Sequence, residues 1–280
     1  MFTLLIIYAV FLQSSLALSS EKGEYNSTPA PSSSYPQANS GNSTYQENEN
    51  EDARVVTRED IQTFASQSTD LPEVRQMILD AHNYYRKTTV PAASDMLKLV
   101  WDDNLCAHAA LLANNCTNEH SRPAMRVFKG YPTGENIMNS YVPVAWDKTV
   151  AVWFQEGEQL EFGIGPTENK SVVGHFTQVV WNATRKVGCA LGKCPNSTYE
   201  AFYVCQYSPA GNQYSRLYTP YTKGEPCALC KDTCEDGLCN NPCETQDPYE
   251  NCKNESPLCG IWWYSFSCPA ACKCKGKIRN

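Results

Sequence analysis

Cysteine is the residue type that offers most chemistry in this chain: 15 of 280 residues, ten of them within positions 227–280. Thiols at that density close disulfides or hold zinc. Cys227-x-x-Cys230 has zinc-module spacing, but the tail has no histidine, and an oxidising compartment favours disulfides. The other five cysteines and all four histidines lie in positions 61–226. Cys106 precedes His108 by two residues, and side chains at i,i+2 do not face each other on a helix, so they make no nucleophile–base pair. His82 and His108 read as structural helix histidines. Two readings of Cys106 stay open, a packed small hydrophobe or a bridge to a second chain.

The elements that position these groups fall into three zones. Residues 1–17 read as a secretory signal peptide, with an apolar run too short to span a bilayer and small residues before the cleavage site. Residues 18–60 lack cysteine and carry 3 basic and 8 acidic residues from position 21 onward. Such a Ser-, Asn- and Glu-rich segment cannot bury enough surface to offset its ordering entropy, so it reads as a disordered leader. No later segment is apolar enough to cross a membrane, so the mature protein is expected to be secreted and extracellular. N-x-S/T sequons at Asn26, Asn42, Asn169, Asn182, Asn196 and Asn254 are expected to carry glycans. A seventh, at Asn115, is set aside because it contains Cys116.

Residues 61–226 suit one α+β domain. Pro72 opens a helical pattern through Val74, Met77, Ile78, Ala81 and Tyr85. Asp102 or Asp103 caps a second helix with Leu105, Ala109 and Leu112 on its apolar face. A third helix is expected over 146–160, and strands over 175–181, 186–191 and 201–207. Residues 227–280 are too few for a core of their own, so disulfides must hold them. The net charge of −7 offers no basic face to a phosphate backbone, which excludes nucleic acid as a partner.

Three segments carry a resemblance. Gly174-His175-Phe176-Thr177-Gln178-Val179-Val180-Trp181 and Tyr203-Val204-Cys205-Gln206-Tyr207-Ser208-Pro209-Ala210-Gly211-Asn212 resemble the two signature motifs of the CAP superfamily. Asp236-Gly237-Leu238-Cys239-Asn240-Asn241-Pro242-Cys243 resembles the hinge and ion-channel-regulatory tail of the cysteine-rich secretory proteins. The resemblance implies an α-β-α sandwich CAP domain over 61–226, a disulfide hinge over 227–242 and a small ShKT-like cysteine-rich domain over 243–280. It also implies pairs Cys116–Cys194, Cys189–Cys205, Cys227–Cys234, Cys230–Cys239, Cys243–Cys274, Cys252–Cys268 and Cys259–Cys272. The family's remaining pair falls on Thr133 and Ser208, absent together, which leaves Cys106 as an extra thiol.

The resemblance further implies a cleft tetrad of His120, Glu135, Glu156 and His175, able to hold Zn2+ that folding does not require. Two imidazoles can bind a divalent cation while the carboxylates orient them or complete the shell. In the tail, Trp262, Trp263, Tyr264 and Phe266 crowd between Cys259 and Cys268, and not all four rings can be buried. They form a candidate contact for a membrane protein or cell-surface receptor, such as an ion channel. The expected function is that of a secreted, non-enzymatic binding protein, a monomer or weak dimer, acting through its tail in reproduction or defence. The alternatives are a sterol or lipid carrier using a groove between helices, and a metal-dependent hydrolase using His120 and His175.

Overall fold

Helix α1 (Pro72–Lys87) starts with proline at its first turn and buries Val74, Ile78, His82 and Arg86, a four-residue spacing that makes one inward stripe. The computed structural model to which it belongs describes residues 61–249, 251–252 and 256–279. The expected signal peptide and leader, and the sequons at Asn26, Asn42 and Asn254, lie outside the described residues. Helix α2 (Asp103–Asn115) is capped by Asp102, whose carboxylate accepts from the amides of Asn104 and Leu105.

Four strands form the central sheet: β1 (Val100–Trp101), β2 (Gly134–Ser140), β3 (Lys186–Lys193) and β4 (Ala201–Ser208), in the order β1-β3-β4-β2. β1 runs parallel to β3, and the other pairs are antiparallel. β4 is buried throughout, and its two faces serve different layers. Phe202 and Val204 pack with Ala109, Leu112 and Ala113 of α2. Tyr203, Cys205 and Tyr207 face the larger core with Val74 and Ile78. That period-two division makes the α-β-α sandwich. The approach of α2 to β3 is close enough that a Cβ on Gly188 would lie 2.1 Å from the Cys106 amide nitrogen.

Two sequence expectations change. Helix α3 (Trp146–Gln155) is shorter than the 146–160 reading, because a 3-10 turn takes over at Glu156. The expected strand over 175–181 is instead helix α4 (Gly174–Val179) followed by a turn. The Val-Val-Trp run has strand-like composition, but the Glu156 carboxylate accepts from the first amides of α4, and Arg86 draws in the carbonyls that follow. Tertiary partners override the local preference here.

Arg86 is fully buried and makes no ion pair among the described residues, although the Asp95 charge acts on it. Its guanidinium instead donates to the carbonyls of Leu97, Val179, Trp181, Asn182 and Thr184 at 2.6–3.2 Å. Burial pulls its pKa down to about 9, so it remains charged at neutral pH. One turn earlier, His82 is also fully buried, its Nδ1 on the Ile78 carbonyl at 2.8 Å and its Nε2 on the Tyr207 hydroxyl at 2.9 Å. Burial lowers its pKa from 6.5 to about 4. The unfolded chain therefore binds this proton first as pH falls. Stability is undiminished above pH 6.5 and declines between there and about 4, by about 3 kcal/mol in all. Urea midpoints at pH 7.5 and 4.5 should show this loss, and His82→Gln should flatten it; an equally steep loss in the variant would contradict the assignment.

Beyond residue 226, β5 (Cys234–Glu235) and β6 (Leu238–Cys239) form a ribbon whose turn residues Asp236 and Gly237 both have positive φ, the hairpin geometry that favours Asp-Gly. The ribbon is tied to the sandwich by Cys239 N–H to the Met96 carbonyl at 2.7 Å and by ion pairs Lys87–Asp236 and Lys98–Glu235. Two short helices follow, α5 (Trp262–Ser267) and α6 (Pro269–Lys273). Seven disulfides join Cys116–Cys194, Cys189–Cys205, Cys227–Cys234, Cys230–Cys239, Cys243–Cys274, Cys252–Cys268 and Cys259–Cys272. Five of these lie in the tail, where so small a segment requires them. Thr133 and Ser208 are both buried, and extending the β2–β4 register by one residue places them opposite each other.

Candidate functional site

The cleft is assembled from four separate places in the chain. Glu156, at the end of α3, accepts from His175 Nδ1 at 2.6 Å and from the amides of His175 and Phe176 at 2.9 and 3.2 Å. It therefore fixes both the His175 ring and the start of α4. Glu135, on β2, has no exposed side-chain surface and accepts from His120 Nδ1 at 2.8 Å. It also accepts from the Ser121 amide, the Ser121 hydroxyl and Gln206 Nε2 at 2.9, 2.6 and 2.6 Å. Burial pushes the Glu135 carboxyl up, but the hydrogen bonds from His120 and Ser121 outweigh it and hold the pKa below the ordinary value.

The two imidazoles lie nearly parallel, centroids 5.9 Å apart at 22°, and Trp153 stacks on the outer face of His175 at 6.3 Å. With each Nδ1 proton given to a carboxylate, each Nε2 keeps its lone pair and has no hydrogen bond among the described residues. This donor set fits a divalent cation held by two imidazole nitrogens with carboxylates behind them, an arrangement that fixes the tautomer and raises ligand basicity. Glu135 and Glu156 each engage an imidazole Nδ1, the contact by which a carboxylate orients a histidine ring. The Ser121 hydroxyl gives its hydrogen to Glu135 and not to an imidazole. Cys227, Cys230 and Cys239 bring three sulfurs within 4.8 Å, but all three are consumed in disulfides.

In the tail, α5 presents Trp262, Trp263 and Phe266 to solvent, 80%, 51% and 82% exposed. Trp262 and Phe266 are four residues apart and share a face, and the neighbouring Leu258 and Ile261 are also exposed. Tyr264 turns back: it is half-buried, packs on the Cys252, Cys268 and Ala271 cluster, and stands edge-on to Trp263. The disulfides Cys252–Cys268 and Cys259–Cys272 hold this short helix at both ends.

The profile of the cysteine-rich secretory protein family matches residues 79–207, and a second, described as Crisp, matches residues 227–279. Cysteine-rich secretory protein 1 of Mus musculus is 41% identical over 213 residues, 75% of this chain and 87% of its own. The chain belongs to the cysteine-rich secretory protein family. Among solved structures this cysteine-rich secretory protein is similar to NaASP2, determined with Zn2+, at 33% identity and a TM-score of 0.51 over 61% of this chain and 96% of that one. It is similar as well to Na-ASP-1, at 30% identity and a TM-score of 0.51 over 64% of this chain and 50% of that one.

Two features of this cysteine-rich secretory protein depart from simple expectation. Asn182 is buried, and its Nδ2, the atom a glycan would occupy, donates to Asp95 at 2.7 Å. Glycosylation there conflicts with the fold, whereas Asn169 and Asn196 are exposed. The extra thiol, Cys106, is half-buried between the Cys189 carbonyl at 3.2 Å and the Thr69 hydroxyl at 3.7 Å, and burial raises its pKa. Native protein should react with a maleimide at least tenfold more slowly than glutathione at pH 7.5 and run as a monomer on a non-reducing gel. A Cys106-dependent covalent dimer would contradict this packing.

Proposed function

We propose that this chain is a secreted, non-enzymatic binding protein that engages an ion channel or other cell-surface protein through the aromatic face of α5. The observation that carries the reading is the exposure of Trp262, Trp263 and Phe266 on a disulfide-braced helix too short to be stable alone. Exposed rings on a rigid support are the residues that dominate interface energetics, because little ordering entropy is lost when they dock. The cleft holds a divalent cation such as Zn2+ through His120 and His175, in line with the structure of NaASP2 with Zn2+. The cation would tie His120 to α4 and so brace the sandwich. The seven disulfides support an extracellular setting.

Fluorescently labelled full-length protein should bind target cells saturably, and the triple variant Trp262→Ala, Trp263→Ala, Phe266→Ala should neither bind nor compete while melting at the wild-type temperature. Equal competition by the triple variant would refute the tail assignment. The lipid-carrier alternative has room in a groove of about 680 Å³ between α1 and α3, where Met77, Tyr84 and Tyr85 sit beside Glu73, Asp80 and Asp147. Stoichiometric sterol uptake by the full chain would favour that reading.

A further inference from the structure

A crevice of about 370 Å³ lies between the sandwich and the last turn of the tail. Arg216 lines it from the sandwich, and Lys275, Lys277 and Arg279 line it from the tail. Arg216 is fixed in place: its guanidinium stacks on the buried Trp181 at 4.9 Å and its Nη2 donates to Asn182 Oδ1 at 2.7 Å. Its remaining N–H donors have no partner among the described residues. Burial lowers the Arg216 pKa, the Asp95 carboxylate raises it, and the charge of Arg279 lowers it again, so the two guanidinia share one field.

The carboxylates nearby are already engaged. Asp95 is buried and accepts from the Thr222 amide, the Thr222 hydroxyl and Asn182 Nδ2. Asp247 pairs with Arg279 at 2.6 Å and accepts from the Ala270 and Ala271 amides. Lys275 and Lys277 are exposed, flank a turn at Gly276 with φ 69°, and have no ion pair among the described residues. The last 25 residues contain no acidic residue at all. Arg216, Lys275 and Lys277 thus face one opening beside the Arg279–Asp247 pair, in a chain whose net charge is negative.

We propose that this crevice binds a sulfate ester carried on a saccharide, as in the sulfated glycans of cell surfaces. A planar, pre-positioned guanidinium matches a tetrahedral oxyanion through paired N–H donors, and the two exposed lysines reach it from the rim. A volume of about 370 Å³ reaches the range of small-ligand pockets, so it admits a sugar ring with its oxyanion. Burial of Arg216 raises its selectivity, since a half-desolvated cation gains more from an anion than a surface one does. The site does not depend on the aromatic face of α5, and the two assignments fail separately.

The test is calorimetric titration of the full-length protein with a heparin-derived hexasaccharide, its desulfated counterpart, and inorganic sulfate or phosphate alone. The sulfated sugar should bind, with affinity falling as salt rises. Arg216→Gln, and separately Lys275→Gln with Lys277→Gln, should each weaken it at least tenfold. Lys148→Gln, on the α3 surface, and the aromatic triple variant should leave it unchanged. Equal affinity for the desulfated sugar would overturn the proposal. So would equal affinity for the free anions, or unchanged affinity in both crevice variants.

Discussion

Arg86→Leu is expected to cost at least about 4 kcal/mol, enough to leave little folded protein at 37 °C. The side chain donates to five carbonyls from two stretches, Leu97 and residues 179–184, which are joined directly by the Leu97 amide on the Asn182 carbonyl. Each buried acceptor left without a partner costs about 1–3 kcal/mol. The Asn182 and Trp181 carbonyls keep the Leu97 and Thr184 amides, so the loss falls on the carbonyls of Leu97, Val179 and Thr184. Arg86→Lys should recover only part, because an ammonium has three donors on a single atom and cannot span carbonyls on both sides. Urea unfolding with disulfides intact measures both variants. A loss below about 1 kcal/mol for Arg86→Leu would mean that the carbonyls are satisfied without it.

The second large effect is expected at the cleft. Replacing either imidazole, by His120→Ala or His175→Ala, removes half of the nitrogen ligands and should weaken Zn2+ binding at least a hundredfold. Glu135→Gln and Glu156→Gln leave both Nε2 atoms in place and remove only the groups that hold the rings, which predicts a milder loss of about 10–100-fold. Because a ligating imidazole must be unprotonated, Zn2+ affinity should be lower in acid than at neutral pH. Competition with a fluorescent zinc chelator at pH 7.4 and 5.5 reports all of these. If the glutamate variants lost as much as the histidine variants, the carboxylates would be ligands after all; if none mattered, zinc would bind elsewhere.

Local chemistry made part of this molecule readable. Pro72 and the spacing of Val74 and Ile78 placed α1, the Asp102-Asp103 pair placed the start of α2 without choosing the cap, and the cysteine-dense tail announced its dependence on disulfides. What escaped is what depends on distant partners. The segment Gly134–Ser140 carries Glu, Asn and Asn in a run with little strand preference, and it becomes β2 because seven residues pair with β4. Residues 175–181 have strand composition and fold as a helix and turn, for the reasons given by Glu156 and Arg86. His82 and Arg86 sit on the apolar stripe of α1 where pattern alone marks them as intrusions; only the carbonyls of residues 97 and 179–184 give Arg86 its purpose. Motif likeness brought His120, Glu135, Glu156 and His175 together, yet which carboxylate meets which imidazole is read only from the Nδ1 contacts. The crevice around Arg216 joins residues nearly sixty positions apart, with no spacing to signal it.

The central claim is that the tail acts and the cleft supports. Its most direct test is whole-cell current recorded across a panel of channel-expressing cells. Three full-length proteins would be applied: the wild type, the Trp262→Ala, Trp263→Ala, Phe266→Ala variant, and the His120→Ala, His175→Ala variant. A current change is expected with the wild type and the cleft variant, and none with the aromatic variant. Activity that survives in the aromatic variant and disappears in the cleft variant would contradict it.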